Sequence, residues 1–243
     1  CIGTPTTGKT WGFSTTQKPE LYATNIQQNL SGTNCIIHTP IGSIDIQYPM
    51  IGLHNVENIL CAFGICIAKG LDLSSIRESL QTLPPVPGRL ERISSPLPVF
   101  IDYAHSPDAL AHVLNTLRPL CSGKLITVFG CGGDRDVGKR PIMGAIAEKN
   151  SDICVITSDN PRSESPKAII DDITKGMEDT HPTFVLREEA IAYAIASADP
   201  STDVVLIAGK GHETYQEILG VKHPFDDRLI ATKYAPKGDE HAV

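Results

Sequence analysis

The sequence predicts an α/β chain whose larger part is a Rossmann-like domain built on a mostly parallel sheet. Three observations carry that prediction. From Pro98 onward short apolar runs alternate with helical patterns, the rhythm of repeated strand–helix units. Leu125–Phe129, Ile153–Thr157 and Val204–Ala208 are almost wholly apolar, as strands buried on both faces must be. The residues after the predicted strands are polar, glycine-rich or charged, and parallel strands bring such ends to one rim.

Before Pro98 the pattern differs. Asn34–His38 and Ser43–Tyr48 read as a β-hairpin turned by Thr39-Pro40-Ile41-Gly42. Ile59–Ala68, entered through Leu53–Asn58, predicts an apolar helix packed on most sides, with Gly70 beyond its end. A second helix runs to Leu80, capped by Asp72 or Ser74. Leu83-Pro84-Pro85-Val86-Pro87-Gly88 is a stiff linker and sets the boundary: residues 1–87 form one domain and 88–243 another. Beyond it the strands are Val99–Tyr103, Leu125–Phe129, Ile153–Thr157, Thr183–Leu186 and Val204–Ala208. The intervening helices run from Ser106 to Leu117, Pro141 to Lys149, Pro166 to Met177 and Arg187 to Ala198. The polar tail, Ala235 to Val243, is expected to fray.

A net charge of −7, with no basic run or aromatic platform, argues against a nucleic-acid partner. No apolar stretch approaches membrane-spanning length, so no membrane partner is expected. Seven scattered cysteines do not form a disulfide framework and read as reduced core thiols, which suits the cytoplasm. Gly3-Thr4-Pro5-Thr6-Thr7-Gly8-Lys9-Thr10 matches the phosphate-loop pattern letter for letter. That motif needs a buried strand before it and a helix after it. Only Cys1 and Ile2 precede it here, and Trp11–Pro19 is a poor helix, so it is read as an ordinary segment leading to a strand.

The chemistry gathers at the predicted rim. Thr157-Ser158-Asp159-Asn160-Pro161-Arg162-Ser163-Glu164 leaves a strand where Pro161 cannot extend it. Arg162 offers a planar fork for a carboxylate or phosphate. Asp159 and Glu164 suit an ammonium, so the loop fits a zwitterion such as an amino acid, or else is a cap with a surface ion pair. The glycines of Gly130–Gly133 let backbone N–H groups approach an anion, and Arg135, Lys139 and Arg140 add charge to neutralise phosphate. Asp102 suits a ribose hydroxyl pair. Asn55 and Asn58 share a helix face, where they either read an adenine edge or cap the helix. His54, His105 and His212 lack regular ligand spacing, so no metal is read from them.

Taken together, Gly88-Arg89-Leu90-Glu91, Asp102-Tyr103-Ala104-His105-Ser106-Pro107, Gly130-Cys131-Gly132-Gly133-Asp134-Arg135-Asp136, Lys139-Arg140-Pro141, Asp159-Asn160-Pro161-Arg162 and Gly209-Lys210-Gly211-His212-Glu213 resemble the Mur ligases of peptidoglycan synthesis. The resemblance implies an ATP-dependent acid–amino-acid ligase using ATP and Mg²⁺. Such an enzyme adds meso-diaminopimelate to UDP-MurNAc-L-Ala-D-Glu through an acyl phosphate. It implies that residues 1–87 are the tail of a central ATPase domain and 88–243 the amino-acid-binding domain. Arg135, Asp159, Asn160, Arg162, Gly209 and Glu213 would bind diaminopimelate. Asn55, Asn58, Arg89, Asp102 and His105 would contact ATP. No catalytic residue is assigned. The family's phosphate loop and Mg²⁺-holding carbamylated lysine would lie upstream, so the chain is expected to be a fragment without ligase activity of its own. A non-catalytic amino-acid or nucleotide binding module and a folylpolyglutamate synthetase-like ligase are the alternatives.

Overall fold

The computed structural model describes residues 2–3, 11–14 and 20–237. Within it the chain parts at the proline-rich stretch into units 1–85 and 86–243. Apart from Gly3, the strand residue that opens it, the phosphate-loop match lies outside the described residues, as does the tail from 238.

In the first unit β1 (Ile2–Gly3), β2 (Trp11–Ser14), β3 (Leu21–Asn29), β4 (Gly32–Thr39) and β5 (Gly42–Tyr48) form one sheet in that order. The expected hairpin is β4–β5, paired from Thr39↔Gly42 to Thr33↔Tyr48. Cys35, Ile37, Ile46 and Tyr48, two apart on each strand, turn to one face. The helices α1 (Leu53–Ala68) and α2 (Leu73–Gln81) bring Val56, Ile59, Leu60, Phe63, Ile67, Ile76 and Leu80 to the same core. Asp72, not Ser74, caps α2, accepting from Ser75 N–H at 2.9 Å. One expectation is corrected. Helix α1 is not packed on most sides, because Ile65 is 63% exposed and only one stripe is buried.

The second unit begins with β6 (Glu91–Arg92), β7 (Val99–Asp102), α3 (Pro107–Leu117), β8 (Leu125–Phe129), α4 (Lys139–Asn150) and β9 (Ile153–Thr157). It continues with α5 (Pro166–Thr174), β10 (Thr183–Phe184), α6 (Arg187–Ala196), β11 (Val204–Ala208), the hairpin β12 (Tyr215–Ile218)–β13 (Val221–Pro224), and α7 (Asp227–Tyr234). The main sheet runs β10-β9-β8-β11-β7-β6, parallel except for β6. Helices α6 and α7 cover the face carrying Val99, Ile101, Val128, Val155 and Ile207. The alternate residues Phe100, Thr127, Phe129, Ile156 and Leu206 are equally buried, so both faces are covered.

Strand β11, last of the parallel set in sequence, lies between β7 and β8. The order therefore reverses there, and the carboxyl ends of β7, β8, β9 and β11 surround a crevice, the place where open α/β sheets hold ligands. Among the described residues every cysteine is free and no helix is long and apolar enough to cross a membrane.

Candidate functional site

A pocket of about 320 Å³ opens at that rim, lined by residues from all four strand ends. From β7 come Tyr103 and His105, and from β8 Gly130, Gly132, Arg135, Asp136 and Lys139. Asp159, Asn160 and Arg162 follow β9, and Gly209 and Glu213 follow β11. A cleft of about 410 Å³ in the first unit, lined by Asn25, Gln27, Asp45, Arg77 and others, has no such convergence of strand ends. The rim pocket is the candidate site.

All six residues expected to bind the amino acid line this pocket. Gly209 sits at φ +116, and a Cβ there would lie 2.6 Å from Asp159 Oδ2, so only glycine fits. Asn160 is 3% exposed. Its Nδ2 donates to Glu213 Oε2 at 2.8 Å, and its Oδ1 accepts from Glu217 N–H at 2.9 Å and Lys210 Nζ at 3.0 Å. Arg162 adopts a left-handed φ of 51°, which costs a non-glycine residue about 1–2 kcal/mol. Two backbone bonds hold it there. Arg162 N–H donates to Glu217 O at 3.0 Å, and Leu219 N–H donates to Arg162 O at 2.7 Å. Its guanidinium donates from Nη1 to Gly133 O at 2.8 Å and lies 3.3 Å from Glu217 Oε2 through Nε. Arg135 is exposed, donating to Asp134 O at 3.0 Å.

The strand β12, which the sequence reading missed, ties this loop down. Gln216 Nε2 donates to Asp159 O at 2.6 Å, Glu217 N–H meets Asn160, and Glu217 and Leu219 bracket Arg162. The signal was faint: every residue of β12 is half-buried, and none of the pattern marks a buried strand.

The β8 loop is stitched to the same place. Gly133 N–H donates to Asn160 O at 2.9 Å, and Ser163 donates to both oxygens of Asp134, holding that carboxyl below its usual range. Two charge assignments are corrected here. Arg140 is 1% exposed, its guanidinium bound by both oxygens of Glu164 at 2.8 and 2.9 Å and by Asp172 at 3.0 Å, so it is a strut and not a phosphate contact. Glu164 is thereby engaged and also accepts from Asp134 N–H, so it does not answer a ligand ammonium. Cys131, within the glycine-rich loop, is buried and its thiol is pushed up to about 12, which removes it as a nucleophile.

The residues expected to contact ATP fall in both units. In the first, Asn55 donates to Ile51 O at 2.8 Å and Asn58 donates to Asn55 Oδ1 at 3.3 Å. In the second, Asp102 is 6% exposed, and its oxygens accept from Leu90 N–H and Ala104 N–H, each at 2.8 Å. Burial raises its carboxyl above the usual range, opposed by those donors and by the Arg89 charge. Arg89 is exposed, its guanidinium 5.3 Å from the Tyr103 ring centre. His105 is exposed beside the same ring, and Lys139 Nζ donates to its carbonyl at 2.7 Å. Among the described residues no three His, Cys, Asp or Glu side chains are grouped to hold a metal.

Residues 88–211 match the family model described as Mur ligase, glutamate ligase domain, and residues 4–66 match the Mur ligase middle domain. A UDP-N-acetylmuramoyl-L-alanyl-D-glutamate–2,6-diaminopimelate ligase of Clostridioides difficile is 44% identical over 233 residues, covering 94% of this chain and 48% of its own. One from Prochlorococcus marinus is 48% identical over 222 residues, covering 87% and 43%. A solved structure of a ligase of that name matches with a TM-score of 0.71 at 39% identity, over 91% of this chain and 46% of its own. A folylpolyglutamate synthase of Mycobacterium tuberculosis matches with a TM-score of 0.64 at 27% identity, over 78% and 45%. The chain spans about half the length of the curated relatives it matches.

Proposed function

Because this chain belongs to the Mur ligase family, we propose that it carries the amino-acid-selecting part of an ATP-dependent ligase that joins meso-diaminopimelate to UDP-MurNAc-L-Ala-D-Glu. Residues 1–87 are read as the end of the central ATP-binding domain and 88–243 as the amino-acid-binding domain. The division of the chain at 85/86 and the two family matches support that reading. The enzyme works in the cytoplasm, which the free thiols suit.

The observation that carries the proposal is one pocket lined by both a guanidinium fork, Arg162, and a carboxylate acceptor, Glu213. Arg162 takes the distal carboxylate of the amino acid, and Glu213 with the Gly209 backbone takes its distal ammonium. Asn160, locked between Glu213 and Glu217, keeps both groups in register. Arg135, exposed and donating to the Asp134 carbonyl, takes a second carboxylate. The amine that forms the new bond is left to attack the D-Glu carboxyl of UDP-MurNAc-L-Ala-D-Glu once ATP has phosphorylated it, with ADP and then phosphate as the leaving groups. Asn55 and Asn58 are assigned to adenine, Asp102 and His105 to the ribose side, and Arg89 to phosphate. The described residues offer no donor set for Mg²⁺, so no step is assigned to it.

Calorimetry on the 243-residue chain tests the proposal. Lysine lacks the distal carboxylate and leaves Arg162 with only Gly133 O and Glu217, forfeiting charge-assisted hydrogen bonds worth about 3 kcal/mol. Meso-diaminopimelate should therefore bind about a hundredfold more tightly than L-lysine. Equal affinities would refute the assignment. In the native protein, ADP release that requires both diaminopimelate and UDP-MurNAc-L-Ala-D-Glu separates a ligase from a non-catalytic binding module.

A further inference from the structure

Lys210 is fully buried, the only lysine so placed among the described residues, and the site as described above gives it no ligand to bind. Other buried cations have ample partners: Arg187 is matched by a fully buried aspartate and Arg140 by two carboxylates. Lys210 instead sits behind the pocket wall, its Nζ 3.0 Å from Asn160 Oδ1 and 3.2 Å from Glu213 Oε2, with the Tyr215 ring centre at 5.6 Å.

The charges around the pocket are balanced. The lining cations Arg135, Lys139 and Arg162 are met by Asp136, Asp159 and Glu213. Behind the lining, Lys210 pairs with Glu213 and Glu217 pairs with Arg162, so the four cations and four carboxylates are equal in number. Lys210 and Asn160 both engage Glu213 through Oε2, which leaves Oε1 as the oxygen to accept from a ligand. A buried charge is poorly screened by water or salt, so Lys210 is felt across the pocket, whereas the exposed Arg135 and Asp136 are largely screened.

Resting on the amino-acid reading above, we infer that Lys210 is a specificity-determining residue. Its charge offsets Glu213, so the pocket accepts a distal end bearing ammonium and carboxylate together and rejects a bare ammonium. Without Lys210 the pocket is net acidic and Glu213 becomes a full-strength acceptor for a lone cation. Selectivity then has two parts, the fork that attracts the carboxylate and the hidden cation that disfavours its absence.

The test measures affinities of the full chain for meso-diaminopimelate and L-lysine in wild type and Lys210→Met. The variant should lose about tenfold for diaminopimelate and gain for lysine, shrinking their ratio tenfold or more. A merely structural lysine would weaken both ligands by one factor, and an unchanged ratio in a discriminating wild type overturns the inference alone. A wild type indifferent to the two ligands overturns both the inference and the reading beneath it. If Lys210→Met fails to fold, Lys210→Met/Glu213→Gln removes both charges together and should reject lysine in wild-type proportion. A pair variant that takes lysine as readily as diaminopimelate overturns the inference.

Discussion

Arg187 and Asp227 form a two-pronged ion pair with no solvent exposure, Nε to Oδ1 and Nη2 to Oδ2 both at 2.8 Å. The same guanidinium donates to Ala208 O at 3.0 Å and Ser158 O at 3.4 Å, so it braces the ends of β11 and β9 beside Gly209 and Asp159. Removing one partner of such a pair strands a buried charge and costs about 3–5 kcal/mol. Asp227→Ala should lower the opening free energy of β9 and β11 by that amount in native-state hydrogen exchange. Replacing both residues with apolar ones should cost less than either single change.

Arg162→Lys keeps the charge but loses the fork that meets Gly133, Glu217 and a ligand carboxylate at once. The expected effect is a tenfold or greater loss in meso-diaminopimelate affinity with lysine affinity little changed, read by calorimetry. Unchanged diaminopimelate binding would remove Arg162 from its role.

Gly133 is where two loops touch. A Cβ there would lie 2.0 Å from Pro161 O, a backbone atom that cannot move without dragging Asn160 and Arg162. Gly133→Ala should cost about 1–3 kcal/mol, as overpacking usually does, and abolish amino-acid binding. Hydrogen exchange in β8 and β9, with calorimetry on the same sample, checks both effects.

Glu148 on α4 accepts from Asp179 N–H and Glu178 N–H, each at 2.9 Å, and from His181 Nε2 at 2.7 Å. Those two N–H groups first, and His181 after them, hold its carboxyl down to about 2. A folded-state value below the unfolded one means the contribution is present above 4.5 and is lost as pH falls through about 2. Glu148→Gln should therefore flatten the loss of stability across that window, measured by urea unfolding at successive pH values.

The strand–helix alternation of the second unit was legible because doubly covered strands leave little choice. Val204–Ala208 has to be apolar at every position, and its limits match residue for residue. Leu21–Asn29 was not legible, since its outer half is polar and bulged between Thr24 and Gln27. The rim residues could be found because glycine and charge after a strand leave a local mark. Their wiring could not: Lys210, Gln216 and Glu217 act through bonds to residues 50 to 57 positions away. Arg140 misled for the same reason, because a charge count does not reveal that Glu164 and Asp172 already claim it.

On the proposed reading, the hairpin β12–β13 is half of the selecting loop, although it lies far along the chain. Strand β12 fixes Asp159, Asn160 and Arg162 through the Gln216 amide, the Glu217 main chain and the Glu217 carboxylate. Lineages that drift toward a different amino acid must rewrite two distant segments in concert, and grafting the four-residue loop alone into a relative would transplant letters without their meaning.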